Sequence, residues 1–181
     1  RPPVVLHEQN AVLGRANRAL ARFASVLALS FAETRLVPAG TPSVVTGNPV
    51  RPPILALAGE AYLPPEAEIR LLVLGGSLGA RVFSDVVPPA LARLPTALRA
   101  RLRVVQQCRA EDLARVAEAY AQSGITARLG DFFADVAGEL AAAHLVIARA
   151  GASSVAELAI AGRPALLVPL PGAIDDHQTA N

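Results

Sequence analysis

Residues 145–181 read LVIARAGASSVAELAIAGRPALLVPLPGAIDDHQTAN. The apolar run 145–148 predicts a buried strand. It ends in Arg149-Ala150-Gly151, a sharp turn, and an Ala-rich helix follows from Ser153 and Ser154. After Pro164, residues 165–168 predict the next parallel strand. Polar groups therefore gather where strands end and helices begin, the edge at which open α/β sheets bind ligands. Glu157 has two readings. Ser154-x-x-Glu157 matches a capping box, in which the two side chains satisfy free amides at a helix start. Alternatively, a carboxylate in the first helical turn accepts two hydrogen bonds from a ribose diol, while the neighbouring amides face the rest of a nucleotide.

The same alternation extends upstream. Strands are expected over 71–74, 104–107 and 125–129, with helices over 80–94, 111–122 and 133–143. Strands alternating with helices mean a parallel sheet covered on both faces. Right-handed crossovers make it Rossmann-like. Earlier still, 4–6 predicts a strand that ends at His7-Glu8-Gln9-Asn10, another polar tip. Residues 13–23 predict an amphipathic helix with Leu13, Ala16, Leu20 and Phe23 on its core side and Arg15, Arg18 and Arg22 opposite. Strands are expected over 26–31 and 43–46. The Pro-rich segment Thr46-Gly47-Asn48-Pro49-Val50-Arg51-Pro52-Pro53 is the best domain boundary, a stiff linker suited to a hinge beside a cleft.

Residues 71–81, LLVLGGSLGAR, give a strand, a glycine turn and a helix start. Glycines let a backbone approach a ligand closely, and a helix N-terminus offers free amides to an anion. With the Ser77 hydroxyl added, a diphosphate fits; a tight turn capped by Ser77 is the plainer alternative. The dinucleotide fingerprint G-x-G-x-x-G is absent. So are the Walker lysine, H-E-x-x-H and Cys/His metal spacings. No D-x-D pair is present to hold a divalent ion on a diphosphate, so no metal and no cofactor are expected. Helix dipole and amides must then stabilise the leaving charge. The turn at 130–135, GDFFAD, either reads a base edge with its backbone or simply caps the next helix. In 175–181, DDHQTAN, Gln178 is a candidate for sugar hydroxyls, and Asp175 or Asp176 for a helix cap.

Composition narrows the classes. The chain has 181 residues, 52% hydrophobic and 18% charged, with mean hydropathy +0.40, as in a globular domain. Aromatics at 4% disfavour a base-stacking nucleic-acid platform. No apolar run approaches the roughly 20 residues that span a bilayer. The single Cys108 allows no intrachain disulfide and fits a reducing compartment. All 17 basic residues are Arg, which excludes lysine catalysis. Residues 1–103 carry net charge +6 and 104–181 net −4. A basic first half suits an anionic membrane surface or a phosphorylated partner, against the alternative of a solvated face. With no Met and an opening onto an apolar strand, the sequence is expected to be a fragment lacking an N-terminal part. Removal of an initiator Met is the alternative.

HEQN (7–10), TGNPVR (46–51), GGSLGAR (75–81), the turn at Phe133, RAGASSVAE (149–157) and DDHQTAN (175–181) occur in this order. As a set they closely resemble the MurG family of peptidoglycan glycosyltransferases. The resemblance covers nearly the whole chain. It implies the glycosyltransferase B fold, with residues 1–46 the tail of an N-terminal acceptor-side domain and 47–181 an incomplete C-terminal donor domain. It implies inverting transfer of N-acetylglucosamine from its uridine diphosphate to lipid I, giving lipid II, by a peripheral enzyme on the cytoplasmic face of the inner membrane. It further implies donor contacts at Asn10, Arg51, Ser77, Phe133 and Gln178. Ala152, Ser153, Ser154, Val155, Ala156 and Glu157 surround the nucleotide, with Glu157 on the ribose. The catalytic base is not identified; His7 is the one candidate. The family's first glycine-rich loop is absent, so the fragment alone is expected to lack a complete active site. The alternatives are an epimerase acting on the 2-position of uridine diphosphate-N-acetylglucosamine and a non-catalytic nucleotide-sugar-binding module.

Overall fold

The structure, a computed structural model, describes residues 2–181 apart from the side chains at 77–80. In chain order, β1 (Val5–Glu8), α1 (Arg15–Leu20), β2 (Val26–Leu29) and β3 (Ser43–Val45) come first. They are followed by α2 (Pro52–Leu55), β4 (Ile69–Leu74), α3 (Gly76–Ala92), α4 (Thr96–Arg99) and β5 (Leu102–Gln107). Then come α5 (Leu113–Gln122), β6 (Thr126–Gly130), α6 (Val136–Ala142), β7 (Leu145–Arg149) and α7 (Ala152–Ala161). The described chain closes with β8 (Ala165–Val168) and α8 (His177–Ala180). The expected alternation from residue 70 onward is present, with the ends of the elements shifted by a few residues.

The chain divides into two compact units. One comprises Arg1–Arg51, Ala150–Glu157 and Pro169–Asn181; the other comprises Pro52–Arg149 and Leu158–Val168. The first contains a parallel three-stranded sheet in the order β1-β2-β3. Its core is small: Leu13, Ala21, Leu27 and Leu29 are buried, with Leu6, Ala24 and Val37 packed against them.

The second unit contains a five-stranded parallel sheet in the order β6-β5-β4-β7-β8. Strand order reverses between β4 and β7, a topological switch point of the kind at which open sheets bind ligands. The β4 sequence sends alternate residues to opposite faces. Leu71 and Val73 pack with Phe83 and Val87 of α3 and with Val116 and Tyr120 of α5. Leu72 faces the other way, toward Ala142 and Ala143 at the end of α6. Both faces are covered, as the unbroken apolar run predicted.

Within that core one polar pair is isolated. Gln106 is fully buried, and the Tyr120 hydroxyl donates to its Oε1. Burial pushes the Tyr120 pKa up. Gln106 Nε2 has no partner among the described residues. Tyr120→Phe would strip the last side-chain bond from a buried amide. It is expected to cost about 1–3 kcal/mol, read as a lower urea midpoint with an unchanged slope.

The 13–23 segment departs from expectation. Leu13 is buried but not helical: its N–H donates to Arg35 O at 2.9 Å, and Val12 bridges Arg35 in parallel fashion. The helix begins only at Arg15, after Gly14. A helical wheel anchored on Leu13 is therefore anchored on an extended residue. The stripe it projects, Ala16, Leu20 and Phe23, faces solvent instead of core. Leu20 and Phe23 are 47% and 57% exposed, and Ala21 turns inward in their place.

Candidate functional site

The tip of β1 is built around a carboxylate. Glu8 is buried and makes no ion pair among the described residues. Its Oε1 accepts from the Asn10 N–H (2.9 Å) and Asn10 Nδ2 (3.2 Å). Its Oε2 accepts from the Gly14 N–H (2.8 Å) and Asn17 Nδ2 (3.0 Å). Burial alone would raise the Glu8 pKa. The bonds from Gly14, Asn10 and Asn17 more than reverse this, and the net shift is downward from the ordinary 4.5. The carboxylate thus fixes the turn from 10 to 14 and stays ionised. An added Cβ at Gly14 would stand 3.4 Å from Glu8 Oε2, about an ordinary contact distance.

Glu8 in turn aims Asn10, whose Oδ1 accepts from Asn181 Nδ2 at 3.2 Å. Asn181 also donates to Ala150 O (3.0 Å) and accepts from the Ala11 N–H (2.9 Å). One amide therefore ties the HEQN turn, the turn after β7 and the C-terminal segment within the first unit. Close by in sequence, Asp175 and Asp176 both take positive φ, 55° and 51°. Neither side chain caps a helix amide. Asp175 pairs with Arg18 at 2.6 Å, and Asp176 accepts from the Thr179 hydroxyl at 2.7 Å. Gln178 Oε1 accepts from the Leu170 N–H at 2.8 Å, so one end of its amide is anchored.

α7 opens at Ala152, and the Val155 N–H closes onto Gly151 O at 2.9 Å. The three preceding amides have no place in that ladder, as at any helix start. Ser154 is the third helical residue, not the cap, so the capping box is not formed. The Glu157 carboxylate is instead held by Arg51: Nε donates to Oε1 at 2.8 Å and Nη2 to Oε2 at 3.1 Å. The pair raises the Arg51 pKa, with the Glu157 hydrogen bond as the main cause. Two residues expected to share a site are thus in direct contact. In the same linker, His7 Nε2 lies 3.1 Å from Gly47 O. A carbonyl only accepts, so Nε2 carries a proton and donates it.

In the second unit, the turn after β4 has Gly76 at φ 62°, a conformation that suits glycine. Gly75 is the N-cap of α3 and makes no side-chain cap bond. The Ser77 side chain lies outside the described residues. Gln107, at the tip of β5, accepts from the Gly76 N–H and donates to Asp131 O, each at 3.1 Å. It staples the glycine turn to the turn after β6. A cavity of about 390 Å³ lies beside these groups, lined by Gly76, Gln107, Arg109 and Asp131. The expected helix start at 133 is displaced to Val136 by a true cap: Asp135 accepts from the Gly138 N–H at 2.8 Å. Phe133 precedes it, half-buried against Gly130 and under the Arg128 guanidinium, 5.1 Å from the ring centroid.

His7, Asn10, Arg51, Ala152, Ser153, Ser154, Val155, Ala156, Glu157 and Gln178 therefore fall in the first unit. Ser77 and Phe133 fall in the second. Asn10 is linked through Asn181 to the turn before α7, and Arg51 is bonded to Glu157. Three supporting residues were given no role of their own by the sequence: Glu8, Asn181 and Gln107. A Glu followed closely by two Asn and a Gly was the available signal for the first. Arg149 also has a role hidden in the motif. It is buried, with its guanidinium 5.0 Å from the Phe83 ring of α3 and Nη1 3.4 Å from Val168 O.

Residues 70–181 match the glycosyltransferase family 28 C-terminal domain. The chain is 72% identical over 181 residues to a protein of Granulibacter bethesdensis named UDP-N-acetylglucosamine--N-acetylmuramyl-(pentapeptide) pyrophosphoryl-undecaprenol N-acetylglucosamine transferase. That match covers 99% of this chain and 47% of the relative. A protein of the same name from Methylobacterium sp. is 60% identical over 186 residues, covering 100% of this chain and 50% of the relative. Among solved structures, Acinetobacter baumannii MurG superposes with a TM-score of 0.76 at 39% identity, covering 98% of this chain and 49% of that one. The chain spans about half the length of the curated relatives it matches. Its parallel, Rossmann-like sheets are those of the glycosyltransferase B fold. By its matched domain, the chain belongs to glycosyltransferase family 28.

Proposed function

We propose that the chain forms the donor-binding part of an inverting N-acetylglucosaminyltransferase. It takes the sugar from uridine diphosphate-N-acetylglucosamine and passes it to lipid I, making lipid II for peptidoglycan. The observation that carries this reading is the placement of Glu157 in α7, directly after β7 of the matched domain, with its carboxylate aligned by Arg51. Relatives bearing the transferase name at 72% and 60% identity support the same substrates.

In this reading Glu157 receives the ribose diol. The free amides at Ala152, Ser153 and Ser154 and the side chains of Asn10 and Gln178 serve the diphosphate and sugar hydroxyls. Val155 and Ala156 form the wall. Ser77 and the glycine turn cradle the diphosphate, and the backbone at Phe133 meets the uracil edge. Residues 1–46 belong to the acceptor-side domain and 47–181 to the donor domain. In the reaction, a base removes the proton from the muramyl 4-hydroxyl and that oxygen attacks the anomeric carbon. The bond to the diphosphate breaks, and the uridine diphosphate leaves on oriented amides. His7 is the candidate base through Nδ1.

The exposed pair Leu20 and Phe23, with Arg22 stacked 4.7 Å over the Phe23 ring and Arg15 also exposed, supports docking on an anionic membrane surface at the cytoplasmic face. No helix among the described residues is long and apolar enough to cross a membrane. Cell-wall biogenesis, and through it cell shape and division, is the setting this implies.

Product analysis tests the proposal. The full-length enzyme that contains this chain, given radiolabelled donor and lipid I, is expected to move label into lipid. Label released as free sugar without any need for lipid I would mark an epimerase instead. Donor binding with no turnover under either condition would mark a binding module.

A further inference from the structure

The Arg51–Glu157 contact raises a problem for ribose binding. A carboxylate grips a vicinal diol with both oxygens, and here each oxygen already accepts a guanidinium N–H, at 2.8 and 3.1 Å. The Arg51 side chain is 58% exposed and that of Glu157 only 17%. The guanidinium therefore lies on the solvent side of the carboxylate, where a ligand arrives. Each oxygen has a further lone pair, but a ribose arriving from the solvent side meets the guanidinium first and displaces it.

We propose that this ion pair is a latch that makes the site selective for nucleotides over nucleosides. The chemistry of the displaced group decides the selectivity. An exposed pair is weak enough to open. Once open, Arg51 has lost its anion. A nucleoside offers nothing in exchange. A nucleoside diphosphate carries its charged oxygens on C5′ of the same ribose, and a guanidinium fork matches phosphate as well as it matches carboxylate. Arg51 precedes Pro52 and sits at the end of the 46–51 linker, so its side chain can turn without moving a strand. The phosphates thus supply the exchange partner that the ribose alone lacks. Arg51 acts in ground-state recognition and is a specificity residue. The inference rests on the donor-site reading and adds to it a discrimination that Glu157 alone could not provide.

The test is competition against a fluorescent uridine diphosphate analogue at fixed salt. Uridine and uridine diphosphate are compared as competitors for the wild-type chain, Arg51→Ala and Glu157→Gln. With the latch removed, Arg51→Ala is expected to bind uridine about three-fold more tightly. It is expected to bind uridine diphosphate about ten-fold more weakly, for want of the phosphate contact. Opposite signs for the two ligands are the signature. If Arg51→Ala weakens uridine as well, Arg51 merely holds Glu157 in place, and the latch is overturned. Unchanged binding of both ligands overturns it too. Failure of the donor-site reading looks different: the wild-type chain would bind neither ligand, or Glu157→Gln would bind both as wild type does. Because Arg51 is exposed, circular dichroism is expected to match wild type for its variant.

Discussion

Replacing Glu8 with alanine is expected to destabilise the chain by about 3 kcal/mol or more, the largest single effect of any substitution considered for its stability. Four donors converge on this one carboxylate: two backbone N–H groups and two Asn amides. Removing it leaves Gly14 and Asn10 backbone amides in a buried turn with nothing to bond. The consequence should reach beyond stability, because Asn10 is aimed by Glu8 and holds Asn181. Glu8→Gln keeps the size and separates charge from shape. It supplies one acceptor oxygen where two were used, and its NH2 faces donors. A smaller loss, about 2 kcal/mol, is expected there.

The pH dependence distinguishes the two contributions. The Glu8 pKa is lower folded than unfolded, so the unfolded chain takes up the proton more readily. Its stabilisation is complete above the ordinary 4.5 and fades as pH falls through the lower, folded value. Denaturant unfolding of the wild type should therefore weaken on acidification below pH 4.5. Glu8→Gln should be less stable at neutral pH and show a shallower acid decline. Parallel acid profiles for the two proteins would mean that the carboxylate is not charged in its turn.

The second large effect is on ligand binding. Glu157→Gln is expected to weaken uridine diphosphate-N-acetylglucosamine binding by about thirty-fold or more, since two charge-assisted hydrogen bonds become neutral ones. Stability should barely move. The Arg51 pair is largely exposed on the Arg side, and such pairs contribute about 0.2–1 kcal/mol. Affinity therefore separates from folding at this position, as it would not for Glu8. Were Glu157 a structural residue only, the substitution would lower the unfolding midpoint and leave donor affinity unchanged.

Much of the second unit was legible because its strands are buried on both faces. Runs such as Leu71–Leu74 have no polar alternation and are punctuated by Gly and Pro, so strand and helix separate cleanly. The first unit was harder. Its core is small, and local propensity competes with long-range pairing. Leu13 illustrates this: its N–H donates to Arg35 O beside the Val12–Arg35 bridge, which keeps it out of the helix, and nothing nearby in sequence signals that partner. The site shows the same division. Strand-end glycines and the Ser154-to-Glu157 spacing singled out this segment, but the spacing alone fitted both a cap and a ligand. The structure removes the cap, since Ser154 is already inside α7 and Glu157 bonds Arg51, 106 positions away. Asn181 could not be found by motif, because its three partners, Asn10, Ala11 and Ala150, are far from it in the chain. The 130–135 turn was read as a possible cap for a helix starting at 133; the cap is Asp135, which leaves Phe133 outside the helix.

Everything turns on whether these turns hold a nucleotide sugar by amides and a carboxylate, with no ion. Calorimetric titration of the chain with uridine diphosphate-N-acetylglucosamine in excess EDTA asks this most directly. Saturable one-to-one binding is expected, which magnesium does not improve and Glu157→Gln weakens by about thirty-fold or more. Binding that appears only when magnesium is restored, or that survives Glu157→Gln undiminished, would contradict it.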